Sequence, residues 1–167
     1  MSKIHLGRAW PLGSTITKRG VNFSVAAPGI SSLELLIFAK NNYKDPIQRI
    51  VLDKNFKSGQ YFHVEIEGIS DGCPYCYRVA KSEEDESQDK FQKYFLLDPC
   101  SREINGWDIY QRSSGTSNSQ HPENSLRSIV TERNQFDLNR HPRPRHSWEN
   151  TIIYELHVAG FTQRACS

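Results

Sequence analysis

No apolar run in this 167-residue sequence approaches the roughly 20 residues that a helix needs to cross a bilayer. No helical span, and no membrane partner, is therefore expected. The opening residues, Met1-Ser2-Lys3-Ile4-His5-Leu6-Gly7, lack the apolar stretch of a secretory leader, so the expected compartment is the cytoplasm. Charge of one sign is also lacking. The 21 basic and 19 acidic side chains leave a net charge of +2, too near balance for nucleic-acid binding, which depends on clustered positive charge. Cysteine is sparse: Cys73, Cys76, Cys100 and Cys166 are irregularly spaced, and without a leader they read as reduced thiols rather than a disulfide framework. One Cys pair with no second Cys or His pair at ligand spacing makes no zinc site, and no cofactor is implied.

What is present is a β pattern. Val21-Asn22-Phe23-Ser24-Val25 alternates apolar and polar side chains, the period of a strand with one wet face. Leu33-Glu34-Leu35-Leu36-Ile37-Phe38 is short and mostly apolar, which favours a buried strand over a helix. Residues 48–52, 61–67 and 75–79 complete the set. Between them stand Lys18-Arg19-Gly20, Pro28-Gly29, Lys57-Ser58-Gly59 and Ser70-Asp71-Gly72, residue types that supply the positive or fixed φ of a chain reversal. Short strands at this spacing predict a mainly β fold, an immunoglobulin-like β-sandwich over residues 1–100.

Residues 82–90 are acidic with no apolar anchor, and residues 111–125 are rich in Ser, Asn and Gly. Neither stretch can offset its ordering entropy by burial, so both read as loops. Arg140-His141-Pro142-Arg143-Pro144-Arg145-His146 reads as a stiff connector, and residues 101–147 as a loop-rich linker. Residues 151–158 form a β-branched apolar run, the kind of strand found inside a parallel sheet covered on both faces.

Several pieces in order carry a family resemblance. Pro11-Leu12-Gly13-Ser14-Thr15-Ile16-Thr17 with Gly20-Val21-Asn22-Phe23-Ser24-Val25 resembles the opening of isoamylase and bacterial glycogen debranching enzymes. Gly59-Gln60-Tyr61-Phe62-His63-Val64, Tyr75-Cys76-Tyr77-Arg78-Val79 and Leu96-Leu97-Asp98-Pro99 are similar to later segments of the same module. Trp148-Glu149-Asn150-Thr151-Ile152-Ile153-Tyr154-Glu155-Leu156-His157-Val158 resembles the entry into an α-amylase-type barrel. The resemblance implies a glycogen- and starch-associated carbohydrate-binding module, then an isolated first strand of a (β/α)8 barrel at 148–167, truncated there. Family members cleave α-1,6 linkages with retention, using an Asp nucleophile and a Glu acid. Those groups follow the fourth, fifth and seventh barrel strands, so no catalytic residue is assigned here. A barrel takes about 250 residues, and the expectation is a chain inactive by itself.

Carbohydrate binding asks for flat aromatic platforms on which sugar C–H faces can pack. Trp10, Tyr43, Tyr61, Trp107 and Tyr110 are candidates, and Tyr43 and Trp107 are the preferred two. Asn41-Asn42-Tyr43 resembles the Asn-Asn-Trp turn of glycogen-sensing relatives, with Tyr in place of Trp. The expected partner is an α-glucan held weakly, if at all. The alternative is a freestanding α-glucan-binding module. Tyr154, Glu155 and His157 would approach the active-site mouth of a completed barrel. Cys73-Pro74-Tyr75-Cys76 matches the glutaredoxin tetrapeptide, but redox chemistry needs the first thiol at a helix N-terminus, and here a strand pattern follows. Asn22-Phe23-Ser24 matches a glycosylation sequon inside a predicted strand and is set aside.

Overall fold

The computed structural model describes residues 2–40, 42, 44–80, 94–108, 110, 125–132 and 144–161. The chain divides into two compact units, Met1–Arg133 and Asn134–Ser167. In the first unit, β1 (Ile4–His5), β2 (Gly13–Ile16), β3 (Gly20–Ala26), β6 (Lys57–Ser58) and β7 (Tyr61–Glu67) form one antiparallel sheet in the order β1-β7-β3-β2, with β6 also on β7. A second antiparallel sheet runs β5-β4-β8-β10-β9, built from β4 (Leu33–Ile37), β5 (Gln48–Leu52), β8 (Pro74–Val79), β9 (Glu103–Asn105) and β10 (Arg127–Ile129). The five strands expected from residue alternation are all present.

Alternation places the core between the sheets, because successive side chains on a strand point to opposite faces. Val21, Phe23 and Val25 of β3, with Phe62, Val64 and Ile66 of β7, meet Leu33, Leu35, Ile37, Tyr75, Tyr77 and Val79 from the second sheet. Each such side chain, fully buried, contributes about 1.5–3 kcal/mol. Phe23 meets Tyr75 edge-on, with ring centroids 4.9 Å apart. A smaller cluster of Leu36, Phe38 and Cys76 lies on the other face of the second sheet, with Phe95 against it. Arg127 is wholly buried beside it: its guanidinium stands 4.3 Å from the centroid of Phe38 and 5.3 Å from that of Phe95, and Nη1 donates to the carbonyls of Ser125 and Leu126. Gly20 is required by close approach rather than by backbone angle, since a Cβ there would stand 2.0 Å from the Ile66 carbonyl oxygen.

Three readings are corrected. First, the polar positions of β3 do not form a wet face: Asn22 is 5% exposed and Ser24 is fully buried. The segment before β2 is laid over them. Second, β9 and β10 lie where a loop-rich linker after residue 100 is expected. Three-residue strands are too short to show a period, and they are held by a full ladder, Arg127↔Asn105, Ser128↔Ile104 and Ile129↔Glu103. Third, residues 151–157 of the second unit form no strand. They follow a 3-10 turn at Trp148–Asn150 and lead into one helical turn, α1 (Val158–Phe161). Ile152 is 96% exposed. A strand exists only through its ladder, and no described residue pairs with this run. The expected loops at 82–90 and 111–125 lie outside the described residues except for Ser125, which is buried.

Candidate functional site

The outer face of the first sheet carries an ordered row of polar side chains. The register sets Thr15 opposite Asn22 and Asn22 opposite Glu65. The neighbouring row runs Gly13, Ser24, His63. These groups hold down the segment between β1 and β2. Asn22 accepts at Oδ1 from the Arg8 amide at 2.7 Å and donates from Nδ2 to the Arg8 carbonyl at 3.0 Å. Ser24 Oγ donates to the Ala9 carbonyl at 2.7 Å. His63 Nδ1 donates to the Leu6 carbonyl at 2.8 Å, which leaves Nε2 to accept from the Ser58 hydroxyl, also at 2.8 Å. Gly7 makes the close approach possible: its φ is 72°, and a Cβ would stand 2.6 Å from Asn22 Oδ1 and 2.7 Å from the Val64 carbonyl carbon.

The fastened segment ends at Trp10, whose side chain is 74% exposed. Beside it lies an open groove of about 440 Å³. Thr15, Asn22 and Glu65 form its floor, and Trp10 and Pro11 one wall. Arg8, Lys18 and Arg19 are exposed at the rim. Glu65 accepts from the Thr17 hydroxyl at 2.6 Å. A second cavity of about 280 Å³ is apolar, lined by Val25, Leu33, Tyr77, Val79 and Leu96 among others. It offers nothing to a polyhydroxyl ligand.

The residues singled out from sequence fall in different places. Trp107 follows β9 at the edge of the second sheet, 63% exposed, and meets Tyr110 edge-on at 5.9 Å. Tyr43 lies outside the described residues. Tyr61 is 42% exposed at the start of β7. Tyr154, Glu155 and His157 belong to the second unit and are exposed, and His157 Nδ1 accepts from the Gly160 amide at 3.0 Å. The groove beside Trp10 was missed because three strands and the approach segment supply its lining. The only signal in the sequence was the lone tryptophan before Pro11.

The cysteine pair is structural. Cys73 and Cys76 lie in separate clusters, Cys73 between the sheets and Cys76 on the other face of the second sheet. Burial raises the Cys73 thiol to about 11 and the Cys76 thiol to about 12. Low thiolate content and opposite orientation exclude dithiol exchange between them. Asp98, in the Leu96-Leu97-Asp98-Pro99 segment, is 3% exposed. Its Oδ2 accepts from the Tyr75 hydroxyl at 2.8 Å and its Oδ1 from the Cys100 amide at 2.8 Å, while its own amide donates to Ser128 Oγ at 2.9 Å. Burial raises the carboxyl above its ordinary range, against the lowering effect of the Cys100 and Tyr75 donors. This network ties β8 to β10 and to the closing segment.

Comparison with known proteins agrees with this architecture. The profile of carbohydrate-binding module 48, the isoamylase N-terminal domain, matches residues 11–101. The glycogen debranching enzyme of Dickeya chrysanthemi is 32% identical over 170 residues, covering 98% of this chain and 25% of that protein. That of Pectobacterium atrosepticum is 30% identical over 168 residues, with the same coverages of 98% and 25%. The chain thus spans about a quarter of the length of these relatives. Among solved structures, pullulanase SAP of Group B Streptococcus with maltotetraose aligns at TM-score 0.51 and 16% identity, over 74% of this chain and 15% of that one. The catalytic module of the glycogen-degrading pneumococcal virulence factor SpuA aligns at 0.53 and 13%, over 75% and 17%. At these identities the shared property is the fold.

Proposed function

Because the chain belongs to the carbohydrate-binding module 48 family, the isoamylase N-terminal domain, we propose that it serves as the non-catalytic, α-glucan-facing N-terminal part of a glycogen debranching enzyme. One observation carries this reading. The match to glycogen debranching enzymes extends over 98% of the chain, past the sandwich and into the second unit, in relatives about four times as long. Hydrolysis of α-1,6 linkages belongs, in this reading, to residues outside these 167. A retaining site needs two carboxyl groups about 5–5.5 Å apart across the scissile bond. Several sandwich carboxylates are engaged in structural bonds, among them Asp98 with Tyr75 and Cys100, Glu34 with Arg78, and Glu67 with His5. Residues 148–167 correspond to the start of the catalytic barrel, where Tyr154, Glu155 and His157 would line the approach to the mouth. The proposed compartment is the cytoplasm, in keeping with four sparse and irregularly spaced cysteines in the sequence.

The test is direct. The purified chain, incubated with glycogen, releases no reducing ends above a heat-killed control. Activity that follows the polypeptide through repurification would overturn the assignment. In glycogen-containing native gels, weak retardation that drops on Trp107→Ala or Tyr43→Ala supports glucan contact through those two residues. Strong retardation would favour the freestanding binding module, the reading that the exposed Trp107, set edge-on to Tyr110, supports.

A further inference from the structure

We infer that the groove beside Trp10, on the outer face of the first sheet, is a saccharide-binding subsite for a short neutral α-glucan segment. The ligand class rests on the glucan reading above, while the location rests on the geometry. Trp10 leaves 74% of its surface in solvent, although an indole exposed singly needs no explanation by itself. Its setting is what distinguishes it. The two residues before it are pinned by three hydrogen bonds of 2.7–3.0 Å to Asn22 and Ser24, and Pro11, the residue after it, restricts the backbone of Trp10 itself. The ring is therefore presented on backbone that is already ordered, so little freedom remains to be lost on binding.

The lining then supplies both kinds of partner that hydroxyl groups require. Arg8, Lys18 and Arg19 donate at the rim, and Glu65 accepts at the floor. The flat indole offers a platform for the C–H face of a pyranose ring. A simple anion could meet the rim cations but has no use for that platform, whereas a pyranose uses both. The about 440 Å³ of space lies within the range of small-ligand sites. This surface is distinct from Trp107, which stands at the edge of the other sheet.

The three tryptophans, Trp10, Trp107 and Trp148, give three indole N–H resonances, assigned by single Trp→Phe replacements. Titration of the ¹⁵N-labelled chain with maltoheptaose is expected to shift the Trp10 indole together with the amides of Thr15, Thr17 and Arg19. Trp10→Ala is expected to weaken binding about two- to tenfold, one ring's stacking contribution converted by the usual relation. Unchanged amide positions elsewhere would show that the variant folds. Ser24→Ala, which unpins Ala9 while leaving the ring and the groove lining intact, should weaken binding by a smaller factor. A shift confined to Trp107 would overturn the groove and leave the glucan reading intact. No shift in any indole or amide would overturn both. A Trp10 shift produced by inorganic phosphate and abolished by salt, with maltoheptaose silent, would make the groove an anion site and refute the proposal.

Discussion

Two tyrosines on β8, two residues apart, should respond unequally to the same loss of a hydroxyl. Tyr75 and Tyr77 both face the core, at 0% and 3% exposure. The Tyr75 hydroxyl donates to the buried Asp98 carboxylate at 2.8 Å. Tyr77 Oη is buried with no hydrogen-bond partner among the described residues. Replacing Tyr75 by Phe keeps the ring against Phe23 and removes one hydrogen bond to a charged group, leaving Asp98 Oδ2 without that donor. Such bonds contribute about 1.5–3 kcal/mol, so the cost should be about 2 kcal/mol. For a folded unit of this size that is a drop in Tm of about 6–10 °C. Replacing Tyr77 by Phe removes a group desolvated without return, and should leave Tm unchanged or raise it.

The pH dependence gives the sign. Burial raises the Asp98 carboxyl above its unfolded value, so its contribution to stability is fully present below the unfolded pKa and declines as pH rises through the folded one. The Tyr75 donor favours the ionised form. The Tyr75→Phe deficit should therefore be largest at neutral pH and shrink on acidification. Thermal and urea unfolding of the wild type and both variants, at pH 7 and near pH 4, would measure this. Equal Tm values for Tyr75→Phe and wild type at neutral pH, or a loss in Tyr77→Phe as large as that in Tyr75→Phe, would refute the reasoning.

In a Cys166→Ser background, a maleimide at pH 8 should label Cys100 readily, while Cys73 and Cys76 react only when the sandwich opens. Their thiolate fractions at that pH, roughly a thousandth and a ten-thousandth, follow from the raised values of about 11 and about 12; mass mapping of the labelled peptides checks it. Gly7→Ala should cost about 2 kcal/mol or more, because a positive φ and a Cβ 2.7–2.8 Å from Val64 and Glu65 backbone atoms must both be relieved; chemical denaturation measures it. Deleting residues 148–167 should improve solubility, since Ile152, Ile153 and Tyr154 are 75–96% exposed, and should leave the sandwich's cooperative melt in place. Loss of that melt in the deletion would contradict the division into two units.

The strands that build the core were legible because their partners are apolar and their period is two. Val21, Phe23 and Val25 announce β3 without any knowledge of β7. What lies over the other face was not legible. Asn22, Ser24 and His63 look like solvent-facing residues, and their partners are backbone groups of residues 6–9, 14 to 57 positions away in sequence. Arg127 carries no sequence signal of burial; Phe38 and Phe95 flank it and local carbonyls accept its hydrogen bonds. In the last segment the pattern pointed the other way: an apolar, β-branched run marks a residue set fit for a ladder and cannot create the neighbour that a ladder needs. Trp107 was recognisable as an exposed ring, whereas the cleft at Trp10 depends on the Thr15–Asn22–Glu65 register.

The tether between residues 6–9 and the outer face of the first sheet separates two properties of β3 and β7. Their inward side chains govern whether the domain folds, and their outward ones govern where a distant indole is aimed. A mutational survey scored only by stability would rank positions 22, 24 and 63 as moderate and uninteresting. Scored by ligand capture, the same three sites would emerge as a remote control for a ring that none of them adjoins in sequence.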